Sequence, residues 1–444
     1  MPGTLFGRLA ADQRGLTAVI TGLALTILAG SAGLAVDIAS WLNATRGMQA
    51  AADQAAYSGA YSAGTGGCTN TAKTQAKGVA AARGYTTGVN STVVLVTCNA
   101  STSAFTVWIG QAQPMWFASL FLSSAPTASA RATAQLASKV SDVCILALDG
   151  TNFATMQAGI NPDAAELTGN TTLNLHCGIA VDSSSLAAFA VGGHASVTAT
   201  DIYIVGDDQG SPAGSGTLTT SPIANNIFRY QPIVEDPYLG RNFTPPLSCT
   251  QTNYSPAGGT TLSPGTFCNG LTLGSNGGGH SDNFTLNAGV YYIVGGSLKI
   301  NASANVTGTG VTFVLTGNTL GQSGYATATI NGNSTVSLTA PTSGPTGGMV
   351  FFQDRNAPFS SNSTCGNGNA QNKLNGGSGQ LITGALYFPN QSVCFNGNSS
   401  LTGAGQCTQI IARTLDFTGN SDVKLSCAGT GVANIAINTP QLIK

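Results

Sequence analysis

The sequence predicts an α+β chain: a long N-terminal transmembrane helix with a small α+β module, then a mainly β region wound as a right-handed parallel β-helix. Three observations predict it. Leu16 to Val36 is an apolar run without a charge. Helix-forming residues continue from it to Ala63 without a proline. Past Val143, helical periodicity gives way to short β-branched runs separated by Gly, Asn and Ser. The expected divisions are 1–63 for the tip, span and helical extension, 64–140 for a membrane-proximal α+β module, and 141–444 for the β region. A Pro-rich stretch at about 211–265 reads as an irregular connector.

Composition supports a folded chain with an uncharged surface. Of 444 residues, 42% are hydrophobic and only 7% charged, against about a quarter charged in typical domains. The difference is filled by 58 Gly and by Ser, Thr and Asn. Disordered chains combine high net charge with few β-branched residues. This one has net charge -1 and many Val, Ile and Thr. With 16 Lys and Arg against 17 Asp and Glu, there is no electrostatic footprint for nucleic acid.

The apolar run LTAVITGLALTILAGSAGLAV has the roughly 20 residues that carry a helix across a bilayer. Arg8 and Arg14 precede it, Asp37 follows it, and the next base is Arg46. That asymmetry places the N-terminus in the cytoplasm and the rest outside a single-pass inner-membrane anchor. A cleaved signal peptide, cut near Ala29-Gly30-Ser31, is the rival reading. The length of the run and the helix that continues it favour the anchor. Gly22, Thr26 and Gly30 recur every four residues, as do Ala29 and Gly33. Such stripes let membrane helices approach closely, although glycine is also simply frequent in these helices. Further along, Arg46, Gln49 and Asp53 share one helical face opposite an alanine-rich surface.

The combination of Arg14-Gly15, the span, Val36-Asp37, Arg46, Gln49 and AADQAAYSGA (Ala51 to Ala60, with Asp53) resembles the N-terminal domain of TadG-like proteins of the Flp/Tad pilus-assembly system. The resemblance implies a membrane-anchored structural component. Its implied partners are other pilus-assembly membrane proteins or pseudopilins, reached through the N-terminal helix. Pilin precursors cut by prepilin peptidase usually carry a Glu five residues after the cleaved glycine. Ile20 stands five after Gly15 here, so the resemblance to TadG implies an uncleaved anchor.

In the module, Thr71 to Gly84 reads as a helix weakened by Gly78, and Thr92 to Cys98, Ala104 to Ile109 and Thr127 to Leu136 read as strands. Pro114 opens PMWFASLFL, expected as a short helix with Trp116, Phe117 and Phe121 packed inward. An interfacial membrane helix is the alternative. The lack of basic residues favours the core.

In the β region, Gly-Asn-Ser recurs at Gly332, Gly397 and Gly419, spaced by 65 and 22 residues. A period near twenty-two suits stacked coils, with Gly and Asn at corners needing positive φ and Asn side chains bonding along the stack. The alternative is an antiparallel sandwich. Continuous runs such as GVTFVL and GMVFFQ favour strands buried between coils. CILALD, NAGVYYIVGG, TGTGVTFVLTG, LTAPTSGP, FFQDRNAP and GALYFPNQ also resemble the C-terminal region of some TadG-like proteins, which implies no chemistry.

None of the ten cysteines lies within four residues of another, so zinc and redox spacings are absent. Wide, even spacing after a hydrophobic segment points to disulfides. Sequential pairing, Cys68–Cys98, Cys144–Cys177, Cys249–Cys268, Cys365–Cys394 and Cys407–Cys427, is the simplest of many connectivities. Polysaccharide-cleaving β-helices need clustered carboxylates. Asp354-Arg355 and Arg413 with Asp416 are the only groupings that stacking would bring to one face, and surface ion pairs account for them. Asp207-Asp208-Gln209-Gly210 lacks the alternating ligands of a calcium loop. His176, His194 and His280 are far apart, and His176 is expected in the core. The expectation is therefore no enzyme, no cofactor and no metal. Glycan or surface binding by the Thr, Ser and Asn ladder is the alternative function, and glycan cleavage the third.

Overall fold

The structure, a computed structural model, describes residues 13–64, 67–149, 164–185, 187–208, 216–275, 282–317, 319–359, 371–375, 380–396, 399–400, 407–418, 421–423 and 427–443. It comprises a long apolar helix and a mostly β remainder, in two compact units, Met1–Ala137 with Asn438–Lys444, and Ser138–Ile437.

Helix α1, Gln13–Ala63, is 51 residues long. At about 1.5 Å per residue it can cross a hydrocarbon core of about 30 Å and extend as far again beyond it. Val19, Ile20, Leu23, Leu25, Ile27 and Leu28 are all more than half exposed. This helix is long and apolar enough to cross a membrane.

Its second half changes character. Met48, Ala51, Ala52, Ala55, Ala56 and Ala60 are buried at helical spacing. They pack with Ala72, Ala76 and Ala80 of α2, Asn70–Ala82, and with Phe105, Val107 and Ile109. Small side chains let the backbones close up: a Cβ on Gly59 would stand 2.9 Å from the Phe105 ring. Thr69 caps α2 by accepting from the Ala72 N–H at 3.2 Å. The sheet behind consists of antiparallel strands β1, Thr92–Asn99, β2, Ala104–Ala112, and β3, Thr127–Ser141. A fourth strand, Ile435–Ile443, lies beside β3. Nothing in its sequence distinguishes it from the β region that precedes it.

The second unit pairs its strands in parallel, not as the antiparallel sandwich. Gly289 pairs with Val311, Asp282 with Ala304 and Ser392 with Thr414, each 22 residues on. Longer steps, such as Phe313 to Phe351 and Thr329 to Lys373, carry insertions between strands. Asn305 donates to Asn283 at 2.9 Å and Asn396 to Asn375 at 2.9 Å, the side-chain ladder expected of such repeats. Asn269 and Asn333 take φ of 61° and 64° at corners.

The order of strands does not follow the chain. From one end the stack runs Ile227–Phe228, Ile202–Ile204, Gly178–Val181, Val143–Ala147, then Thr408–Phe417 and Gln380–Asn396. It continues through Met349–Gln353, Val311–Thr316, Gly289–Val294 and Gly265–Leu273 to Gln251–Tyr254. The chain thus enters the stack in its middle, at Val143, and climbs to one end at Phe228. It then returns to the far end and climbs back to meet its own start.

The return is made by residues 229–248, the irregular core of the expected connector, which form a strap along the stack. The Val234 N–H donates to Asp182 at 2.8 Å, Tyr238 accepts from the Ala433 N–H at 3.0 Å, and Phe243 meets Phe352 edge-on at 4.7 Å. The strap explains the continuous apolar runs. Phe313, Val350 and Phe351 face the inner core, while Val314, Met349 and Phe352 face outward onto the layer containing Val234 and Tyr238. Both faces are buried, so alternation is lost.

Asp182 is the buried charge under the strap. Desolvation pushes its carboxyl up to about 7, reinforced by nearby Asp236 and opposed by the Val234 N–H bond. A folded-state pKa above the unfolded 3.8 means the native state keeps a proton that the unfolded chain releases. The stability this group contributes is therefore full at acid pH and declines as pH rises from about 4 to about 7. Asp182→Asn keeps an acceptor for Val234 and removes the titration. Its melting temperature should equal the parent's at pH 4 and exceed it by about 2–4 °C at pH 8. A constant offset at every pH would contradict this origin.

Candidate functional site

The polar group of greatest structural consequence on α1 sits where the apolar span ends. Gly33, Asp37 and Trp41 recur every four residues and so lie on one face. All three hold the segment Pro114–Leu122. Asp37 is fully buried. Its carboxylate accepts from the backbone N–H groups of Trp116 at 3.2 Å, Phe117 at 2.8 Å and Ala118 at 2.5 Å. The Trp41 indole N–H donates to the Pro114 carbonyl at 2.9 Å. Gly33 has no room for a side chain, because a Cβ there would lie 2.5 Å from Cγ of Phe117. One carboxylate thus satisfies three consecutive donors, an arrangement stronger than neutral bonds of the same count.

This corrects the expectation for PMWFASLFL. Helical structure is confined to a 3₁₀ turn at Ala118–Leu120, and only Ala118 is buried there. Trp116 is 57% exposed, Leu120 78% and Phe121 70%, while Phe117 leans on Gly33 and stays 45% exposed. The aromatic residues point out because Asp37 gathers the backbone, not the side chains, onto the helix.

The other sequence-selected residues of α1 divide by depth. Gln49 donates to Asp53 at 2.8 Å and to the Arg131 carbonyl at 3.1 Å, tying the helix to β3. Arg46 is exposed. A Cβ added to Gly22 or Gly30 would meet nothing within 4 Å, and Thr26 bonds only back to the Leu23 carbonyl. Val36 is exposed, and Arg8 lies outside the described residues, as does the side-chain environment of Arg14 and Leu16. Of the small-residue stripe, Gly33 is therefore occupied within the chain, while Gly22, Thr26 and Gly30 are open. The Gly33–Asp37–Trp41 spacing is available in the sequence. Its partner, 73 to 81 residues away, is not.

In the second unit the two charged groupings do not converge. Arg355 reaches Asp236 at 3.3 Å, the Tyr387 hydroxyl, and the carbonyls of Tyr238 and Arg241, all of them strap contacts or beneath it. Asp354 accepts from Thr316 at 2.8 Å and from the Asn356 N–H at 2.9 Å. Arg413 lies 3.5 Å from Asp149, bonds Asn390 at 3.0 Å and stacks 3.9 Å over Phe359. Asp208 is held bidentately by Arg229 at 2.7 and 2.6 Å, with Tyr230 donating to Asp207 at 2.5 Å, so this pair fastens the start of the strap. His176 is exposed between buried Leu175 and Cys177, against the expectation of a core position, because the strand alternates there. His280 lies outside the described residues. Among the described residues no group of three or more His, Cys, Asp and Glu is placed to hold a metal ion.

Disulfides join Cys68 to Cys98, Cys144 to Cys177, Cys249 to Cys268 and Cys407 to Cys427. The remaining expected pair, with Cys394, involves Cys365, outside the described residues. Cys249–Cys268 fixes the far end of the strap to the stack.

Compared with known proteins, residues 15–63 match the Tad family model, Flp pilus-assembly TadE/G-like. No curated protein and no solved structure matches the chain.

Proposed function

We propose, from the premise that residues 15–63 form a TadE/G-like segment, that this chain is a single-pass, membrane-anchored structural component of a Flp/Tad-type pilus assembly apparatus. The observation that carries the reading is the two-part helix. The matched segment covers both an exposed apolar span and an alanine face already packed within its own unit. The alanine face is therefore unavailable to partners, and the open stripe Gly22, Thr26 and Gly30 remains for other pilus-assembly membrane proteins. In this reading the N-terminus is cytoplasmic and the two units stand outside the inner membrane, where disulfides persist. The parallel pairing near 22 residues supports reading the second unit as a right-handed β-helix, a stiff scaffold. Asp354, Arg355 and Arg413 hold strap and strands together, which supports a structural role over glycan cleavage.

Deletion should abolish surface pili and the full chain should restore them. Restoration should fail when Gly22 and Gly30 are both replaced by Leu, while the protein level stays unchanged. Normal piliation in the deletion strain would remove the reading.

A further inference from the structure

We propose that the Pro114–Leu122 segment is a second membrane contact, seated in the headgroup–acyl boundary of the phospholipid bilayer that α1 crosses. The proposal rests on the reading of residues 16–36 as a span. Four observations carry it.

The first is depth. The segment is fastened to Gly33, Asp37 and Trp41, so it begins one helical turn inside the end of the apolar run. The second is its surface. Trp116, Leu120, Phe121 and Leu122 are exposed on the segment, and Leu34, Val36, Ile38 and Leu42 are exposed on α1 at the same level. Together they form an apolar collar with a tryptophan, the composition of the membrane interface. The third is charge: Pro114 to Leu122 contains no ionisable residue.

The fourth observation separates lipid from water as the surroundings. Exposed loops normally leave backbone groups to solvent, and lipid forbids that. Here the N–H groups of residues 116–118 are bonded to Asp37. Those of Leu120, Phe121 and Leu122 are bonded to the carbonyls of Phe117 and Ala118. The indole of Trp41 is bonded as well. A segment with its donors satisfied internally and its apolar side chains turned outward is built for a low-dielectric boundary. A protein partner would require no such closure.

The test uses the full chain, oxidised, in vesicles of phosphatidylethanolamine and phosphatidylglycerol. A nitroxide spin label is attached to Leu120→Cys, with Leu25→Cys in the span and Lys77→Cys on α2 as references and the parent chain as the labelling blank. Leu120 is largely exposed, so its replacement does not disturb packing. Collision with oxygen relative to a water-soluble nickel complex should be several-fold higher at position 120 than at 77 and approach the value at 25. A label at 120 that behaves like 77 while 25 reports lipid overturns the membrane contact and leaves the span intact. Water-like behaviour at 25 as well overturns both.

Discussion

Phe351→Ala should cost the second unit about 3–5 kcal/mol, the largest single-residue loss expected in this chain outside its disulfides. Phe351 is fully buried in a column of rings rising through the stack: Tyr254, Phe267, Tyr291, Phe313, Phe351 and Phe388. It stands 5.5 Å from Phe313 and 6.1 Å from Phe388, so its removal opens a cavity between two neighbours that the parallel ladders prevent from closing. Each layer depends on its neighbours. The loss should therefore appear first as faster hydrogen exchange in Val311–Thr316 and 385–388, then as a lower denaturant midpoint. Phe228→Ala provides the comparison. Phe228 stacks on Tyr203 at 5.1 Å but lies at the end of the stack and is 38% exposed, so its loss should be markedly smaller. Equal effects at the two positions would show that the column is not what carries the unit.

How much of this is legible in the sequence depends on the range of the interactions. The span and its continuation are legible because a helix writes its environment into local periodicity. Strand positions in the second unit are legible for the same reason, and the spacing of Gly-Asn-Ser matches the length of one layer. Long-range closure is not legible. The return of Ile435–Ile443 to the first sheet has no local signal, since a strand's partner is not encoded in its own alternation. The entry at Val143 into the middle of the stack is equally invisible, because coils on both sides look alike. The strap is readable only as irregular. Its role depends on Asp182, Asp236 and Tyr238 meeting residues up to 195 positions away.

The exposed aromatic residues of Pro114–Leu122 show the opposite difficulty. Their hydrophobicity is plain, and burial in a core is the natural reading in water. The outcome turns on a single acceptor in a distant helix, which fixes the backbone so that the rings face away from the unit's core. In the sequence Asp37 marks topology, as the first charge after an apolar run. The structure gives it a second task, fastening a remote segment at the level where the span ends.

That second task predicts what its loss does. Asp37→Ala leaves the backbone N–H groups of Trp116, Phe117 and Ala118 without an acceptor, and no other side-chain oxygen bonds them among the described residues. The segment should then leave the helix. Asp37→Asn is intermediate: its one oxygen can replace Oδ2 toward Phe117 and Ala118, but its amide nitrogen then faces the Trp116 N–H, donor against donor. Cleavage by chymotrypsin after Trp116, Phe117 or Phe121 reads the open population directly when reclosing is fast. In detergent-solubilised full chain the rate should rise roughly tenfold to a hundredfold for Asp37→Ala and less for Asp37→Asn, in keeping with the loss of charge-assisted bonds. Cleavage in the second unit should not change, since none of its bonds involves Asp37. Membrane orientation should not change either, because in this reading the basic residues preceding the span set it. Unaltered cleavage in Asp37→Ala would mean that Gly33 and Trp41 suffice to hold the segment, and would return Asp37 to the role of a topology marker alone.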